Sequence, residues 1–387
     1  MKGYQIAVFF CFIVHPFLYT TAQDHRSKEF FDKGEIELHV GEFKEAIKYY
    51  SQAIQSFRNY KDAYFSRAKT FLLLQDSAKA LKDFESLLKL DSNQARAHFY
   101  IGVMAYNASA FERSIQSFDR AIAANPNYAL AYNYRASAYK ELGLTAPAID
   151  DYSRSIQLDP QVALLYFGRG KCYLELEDYQ HAILDFDKAI ELEPRKTIFR
   201  QFRAETNFLQ GNYFQASQDI DMLQKLTEDP LPTYYHSLNA FCKAQNNNFE
   251  GAIESMNKVI QDEQDKPENY AERASYQARI NAHQEALADY QKALSLDSDN
   301  VDYQIKIARI YFKLKNYPQT IKYVSTGILA DGSQPELWYL RGTAYLAQNK
   351  KKEAKFDLGK AASLGFPAEE MSAEALKYAK KYFKSPN

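Results

Sequence analysis

Counting from Ser27 in steps of 34 residues lands on Lys61, Ala95, Ala129, Ala163 and Thr197. One step of 36 then reaches Thr233, and steps of 34 continue to Pro267, Val301 and Pro335. The eighth residue of every unit is glycine or alanine: Gly34, Ala68, Gly102, Ala136, Gly170, Ala204, Ala240, Ala274, Ala308 and Gly342. The twentieth is small, as in Ala46, Ala80, Ser114, Ala148, Ala182, Ala216, Ala252, Ala286, Thr320 and Ala354. The twenty-fourth is large and apolar or aromatic, including Tyr50, Phe84, Phe118, Tyr152, Phe186 and Tyr290. A period kept over ten units constrains the chain more than any local motif. Each unit is too small to bury its own apolar face and must stack on its neighbours.

Within a unit the apolar spacing is helical, twice. Tyr132, Tyr139 and Leu142 recur around Ala136, and Gly143 ends that run. Ala148, Ile149, Tyr152 and Ile156 form a second run, which stops at Asp159-Pro160. Two antiparallel helices approach closely only where side chains are tiny, and the eighth and twentieth places supply that contact. Glycine (14) and proline (12) are scarce and apolar residues make up 46% of the chain, which suits a packed helical protein.

The pattern resembles the tetratricopeptide repeat (TPR) family. Residues 132–160 and 166–194 match it closely, as do 98–126 with His98 and Ala105 at two aromatic places. The resemblance implies an all-α, right-handed superhelical solenoid of about ten 34-residue helix–turn–helix repeats over residues 23–366. Residues 367–387 are expected to form a capping helix and tail, with Ser372 starting the helix and Leu376, Ala379 and Phe383 on its apolar face. A basic membrane-surface helix is the other reading of that segment. The pattern weakens in the sixth, seventh and ninth units, at Asn207, Lys243, Thr320, Val324 and Gly327. The two extra residues and two prolines of 226–235 predict a change of packing angle or a flexible joint there.

A second rule runs through the repeats. The seventh residue is arginine in six units (Arg67, Arg135, Arg169, Arg203, Arg273, Arg341). In the same six the twenty-third is aspartate (Asp83, Asp151, Asp185, Asp219, Asp289, Asp357). The remaining units have neither, carrying Lys33/Tyr49, Ile101/Ser117, Asn239/Ser255 and Ile307/Tyr323. Co-occurrence within a unit predicts a bidentate ion pair joining its two helices. The other reading, a row of arginines awaiting an acidic ligand, would require those arginines to be unpartnered.

Catalytic chemistry finds little footing. Gly168-Arg169-Gly170-Lys171 has the composition of a phosphate cradle, but no strand precedes it and Cys172 follows where Ser or Thr is needed; Gly170 is an eighth-place glycine. His39, His98, His181, His236 and His283 share no metal-ligand spacing, and Cys172 and Cys242 lie two units apart, so both are expected to be free, buried thiols. No cofactor, metal or enzymatic activity is expected. A net charge of −1 gives no general attraction to nucleic acid.

Residues 1–22 read as a secretory signal: Lys2, an apolar run too short to span comfortably, then small residues; a retained anchor is the alternative. The expected location is an exported compartment: the bacterial periplasm, or alternatively secretion or the endoplasmic reticulum lumen. No later stretch is apolar enough to span a membrane. The TPR resemblance implies a non-catalytic scaffold binding a peptide or helical segment of another protein along its first helices. An accessory subunit of a folding, secretion or envelope-assembly machine is the alternative. The fifth places form an aromatic row with one polar break, so the expected groove residues are Phe65, Lys69, Phe99, Asn133, Phe167 and Lys171. Aromatic residues there also serve as packing filler, so both readings of the row stand.

Overall fold

The computed structural model describes residues 25–382, so the expected signal segment and Phe383 lie outside the described residues. Every described helix belongs to a hairpin or to the C-terminal cap, and no strand occurs among the described residues. The chain divides into two compact units, residues 1–199 and 200–387. The first contains α1 (25–39), α2 (Phe43–Ser56), α3 (Lys61–Leu73), α4 (Ser77–Leu90), α5 (Ala95–Asn107) and α6 (Phe111–Ala124). It continues with α7 (Ala129–Glu141), α8 (Thr145–Leu158), α9 (Ala163–Glu175) and α10 (Tyr179–Leu192). Helix α11 (Thr197–Gln210) crosses the division. The second unit then holds α12 (Tyr213–Leu226), α13 (Thr233–Gln245), α14 (Phe249–Asp262), α15 (Pro267–Arg279) and α16 (His283–Leu296). After these come α17 (Val301–Lys313), α18 (Tyr317–Ala330), α19 (Pro335–Ala347), α20 (Lys351–Ser363) and α21 (Ala373–Ala379). Each unit is an all-α repeat solenoid in which successive helices pack on one another.

The small residues lie at the helix contacts. Ala68 and Ala80, Ala136 and Ala148, and Ala274 and Ala286 have no exposed surface. Where the eighth residue is glycine the approach is closer: a Cβ on Gly170 would fall 2.7 Å from the Phe186 ring. The twenty-fourth side chain fills the space beside the contact; Tyr50, Phe84, Phe118 and Phe186 are fully buried. Removing such a ring costs about 3–5 kcal/mol.

Every first helix ends in the same backbone device. The fifteenth residue of each repeat has a positive φ, from Gly41 (87°) through Glu177 (58°) to Asn349 (61°). This left-handed residue returns amide donors to the last carbonyls of the helix, as when Asp178 N–H bonds Tyr173 O at 2.9 Å. Glycine occupies that place in only three repeats, Gly41, Gly143 and Gly211. Elsewhere Gln75, Ser109, Glu177, Asn247, Asn281, Lys315 and Asn349 hold the conformation, which is why the turn is not visible as a glycine pattern.

The expected joint at 226–235 is not a gap in the packing. Leu231 is buried in one cluster with Leu223, Tyr235 and Leu238, so the two-proline segment is clamped between α12 and α13. At the C-terminal end, Ser372 Oγ accepts from Ala375 N–H at 3.2 Å and caps α21. Ala375 and Ala379 bury against Leu358 of the last repeat, with Leu376 partly buried beside them. Gly359 leaves room for the Tyr382 ring, 2.5 Å from where a Cβ would sit. No helix among the described residues is long and apolar enough to cross a membrane.

Candidate partner-binding groove

The first helices of the N-terminal unit line a face on which the second, fifth and ninth residues of each repeat come together. Between α1, α3 and α5 these residues enclose a cavity of about 230 Å³ whose walls include Phe31, Glu35, Asp62, Phe65, Lys69 and Arg96. Arg96 holds its guanidinium 4.0 Å over the Phe65 ring, and Lys69 Nζ lies 5.9 Å from the same ring. Further along, Lys171 Nζ lies 5.3 Å from the Phe167 ring. Burial holds the Lys171 ammonium below the usual lysine range, and the nearby Lys140 adds to the effect. Lys140 Nζ in turn approaches Glu175 Oε1 at 3.6 Å.

The aromatic row divides under this geometry. Each fifth-place ring packs against the twenty-fourth-place ring of its own repeat at nearly one spacing. Phe31–Tyr50, Phe99–Phe118 and Phe167–Phe186 stand at 5.8 Å, and Phe65–Phe84 at 5.9 Å. Phe99 is therefore not a groove residue. It is 6% exposed, and Tyr100, Tyr128 and Tyr134 close around it at 5.0–5.5 Å. Phe65 and Phe167 are half-buried and keep part of their rings on the surface. Asn133 is half-buried as well, and its carbonyl accepts from Ser137 Oγ, which also meets the Tyr152 hydroxyl at 3.1 Å.

Two groove residues carried no signal in the aromatic row. Leu130 and Leu164 occupy the second place of consecutive first helices, equivalent to Asp62 and Arg96, and are 52% and 50% exposed. The repeat register contains a trace of them, because the second place changes from Lys28, Asp62 and Arg96 to Leu130, Leu164 and Ile198.

All six arginine–aspartate combinations meet within their own repeat. In each, Nε and Nη2 donate to the two carboxylate oxygens at 2.5–3.0 Å. Asp83, Asp151, Asp185, Asp219, Asp289 and Asp357 are buried. The sequence rule missed a third contact. Nη1 reaches back to the twenty-fifth residue of the preceding repeat: Arg67 to Ser51, Arg135 to Asp119, Arg169 to Ser153, Arg273 to Asn257 and Arg341 to Ser325, at 2.5–3.1 Å. Aromatic rings flank the guanidinium, with Arg169 6.0 Å from Tyr166 and 5.9 Å from Tyr173. One arginine thus joins three helices. With Nε and Nη2 engaged in all six and Nη1 in the five just named, these arginines belong to the seam between second helices and not to a ligand site.

No group of three or more His, Cys, Asp or Glu suited to a metal occurs among the described residues. Cys172 and Cys242 are buried and free, and burial pushes both thiols up to about 11.

Models of the tetratricopeptide repeat match residues 31–93, 67–129, 129–162, 163–196, 281–343 and 335–364. The chain is a tetratricopeptide repeat protein. A mouse protein, tetratricopeptide repeat protein 12, is 35% identical over 71 residues, 18% of this chain. The human protein of that name is 34% identical over 71 residues, also 18% of this chain. The matched stretch spans only 10% of the length of each of these relatives. Among solved structures, MamA is 26% identical, with 42% of this TPR chain and 95% of MamA covered at a TM-score of 0.40. PilF of Pseudomonas aeruginosa is 15% identical, with 58% of this chain and 99% of PilF covered at a TM-score of 0.48.

Proposed function

We propose that this TPR protein is a non-catalytic scaffold that holds an amphipathic segment of another protein along the first-helix face of its N-terminal unit. The observation that carries the reading is the pair Leu130 and Leu164, each about half exposed at equivalent places on neighbouring helices. Leucines at two consecutive repeats each leave about half their surface in water, and an exposed apolar ridge of this kind marks an interaction surface. Apolar side chains of the partner would rest on the leucines. Lys69, Arg96 and Lys171, on the same run of helices, would meet its carboxylates. The leader-like first residues support an exported compartment for this activity: the bacterial periplasm, or alternatively secretion or an endoplasmic reticulum lumen. A part in a folding, secretion or envelope-assembly machine is the finer form of the same reading.

Site-specific photo-crosslinking tests it. A photoreactive residue replaces Leu130, Leu164 or Leu184 in the full chain in its host; Leu184 is more accessible than either, at 63%, but lies on the second helix α10. Positions 130 and 164 should yield the same adduct and position 184 should not. An adduct at 184 alone, or none at 130 and 164, removes the groove. Amino-terminal sequencing of the chain from the exported fraction tests the location, and an intact Met1 would overturn signal cleavage.

A further inference from the structure

Two of the four repeats that lack the arginine–aspartate pair fill the seam between second helices in other ways. In the seventh repeat Asn239 Nδ2 and Lys243 Nζ both donate to Asp221, at 2.7 and 3.0 Å. In the ninth, Tyr311 and Tyr323 stack at 5.7 Å and Gln291 Nε2 bonds both hydroxyls. The third repeat has no such substitute. Ile101 stands in the arginine place, and Ala105 stands where Tyr139, Tyr173 and Tyr345 carry a ring. Ser117 replaces the aspartate and turns its hydroxyl to Arg113 O of its own helix. His98 bonds Ser92 O at 2.9 Å and stays in the floor. The result is a furrow of about 700 Å³ between α4 and α6, over α5.

Its shape and charge define an occupant. The lining along α4 runs from Ser77 to Leu88, a rise of about 16 Å at 1.5 Å per residue, which accommodates about five residues of extended chain. Beside His98 the floor presents Ile101, Met104 and Ala105, with Ile101 and Ala105 at the places where other repeats carry a guanidinium and a ring. Arg113 and Arg120 stand on the α6 wall two turns apart. Both are exposed, and neither makes an ion pair or a side-chain hydrogen bond with any described residue. Glu85 on α4 is the single acid of the lining.

We propose that this furrow is a second protein-binding site, separate from the first-helix groove, and that it takes an extended acidic segment with an aromatic side chain seated on Ile101 and Ala105. The ring replaces the missing seam side chain, and the flanking carboxylates meet Arg113 and Arg120. The site arises because one repeat lost its seam contact without gaining another.

The test uses the full chain and a fluorescein-labelled pentapeptide, Glu-Asp-Tyr-Asp-Glu, followed by fluorescence anisotropy. Saturable binding is expected, weakened at least tenfold when alanine replaces the tyrosine. Ile101→Arg with Ser117→Asp and Ala105→Tyr rebuilds the seam found in the fourth repeat and should abolish binding while keeping helix content. Arg113→Glu with Arg120→Glu, both at exposed places, should weaken binding at least tenfold and decides the matter alone if the rebuilt chain does not fold. Leu130→Asp with Leu164→Asp, which disables the groove, should leave it unchanged. No saturable binding, undiminished binding by the charge-reversed chain, or a loss confined to the groove variant would overturn the proposal.

Discussion

Removing Arg169 should be among the most damaging single changes in the N-terminal unit. Its Nε and Nη2 grip Asp185 at 2.8 and 2.7 Å, and its Nη1 reaches Ser153 Oγ at 2.9 Å in the preceding repeat. The Asp185 side chain is 6% exposed and that of Arg169 is 21%. Burial pushes the Asp185 carboxyl up from its ordinary range, and the Arg169 hydrogen bond is the largest influence opposing it. Breaking a fully buried pair by losing one partner costs roughly 3–5 kcal/mol; the wet edge on the arginine side places Arg169→Ala near the low end, about 3 kcal/mol. Asp185→Ala should cost about 2 kcal/mol, because the stranded guanidinium can turn to water. The double variant should lose about 3 kcal/mol, leaving a coupling of about 2 kcal/mol. The deficit of Arg169→Ala should shrink as pH falls into the carboxyl range, since protonation removes the orphaned charge.

A repeat array need not unfold in one step, so the measurement is hydrogen exchange of the α9 and α10 amides alongside urea unfolding. The reasoning fails if the two single losses add to within about 0.5 kcal/mol, the range expected of independent sites. It also fails if exchange in α8 is unchanged by Arg169→Ala, because the Ser153 contact ties α8 to the same guanidinium.

Two further outcomes follow from burial in other repeats. Cys172 and Cys242, both pushed up to about 11, should resist iodoacetamide at pH 8 in the folded chain and react in urea; rapid labelling of either in the folded state would place that thiol at the surface. Burial first, and then Lys258, holds the imidazole of His236 below its ordinary range. The unfolded chain then takes up that proton more readily, so this contribution to stability is lost as pH falls through the ordinary histidine range. His236→Gln should flatten the pH 5–7 dependence of the second unit, and an unchanged slope would assign it to other groups.

The repeat register was legible in the sequence to the residue: the first helices of the nine later repeats begin at Lys61, Ala95, Ala129, Ala163, Thr197, Thr233, Pro267, Val301 and Pro335, the positions where each count restarts. That precision has a physical source. The eighth and twentieth places tolerate only tiny side chains, so an error of one residue would place a bulky group in the contact. The turn after each first helix was far less legible, because its left-handed residue is Glu177 or Lys315 as readily as Gly143. The prolines at 230 and 232 suggested a joint because proline removes a donor. Leu231 between them buries its side chain, and that tertiary contact was invisible to local reasoning.

The groove was legible only in part, for a reason that applies to repeat proteins generally. A residue type recurring at one place in every repeat is usually serving the contact that recurs in every repeat. The fifth-place rings recur, and they hold the twenty-fourth-place rings; Phe99 is buried by doing so. The seventh-place arginines recur, and they hold the aspartates. Surface available to a partner appears instead where recurrence breaks. The second place turns from charge to leucine at Leu130 and Leu164, and the seam loses its filling at Ile101 and Ala105. Substitutions at Phe99 or Arg169 should therefore act through stability. Substitutions at Leu130, Leu164, Arg113 and Arg120 should act through binding with the fold intact.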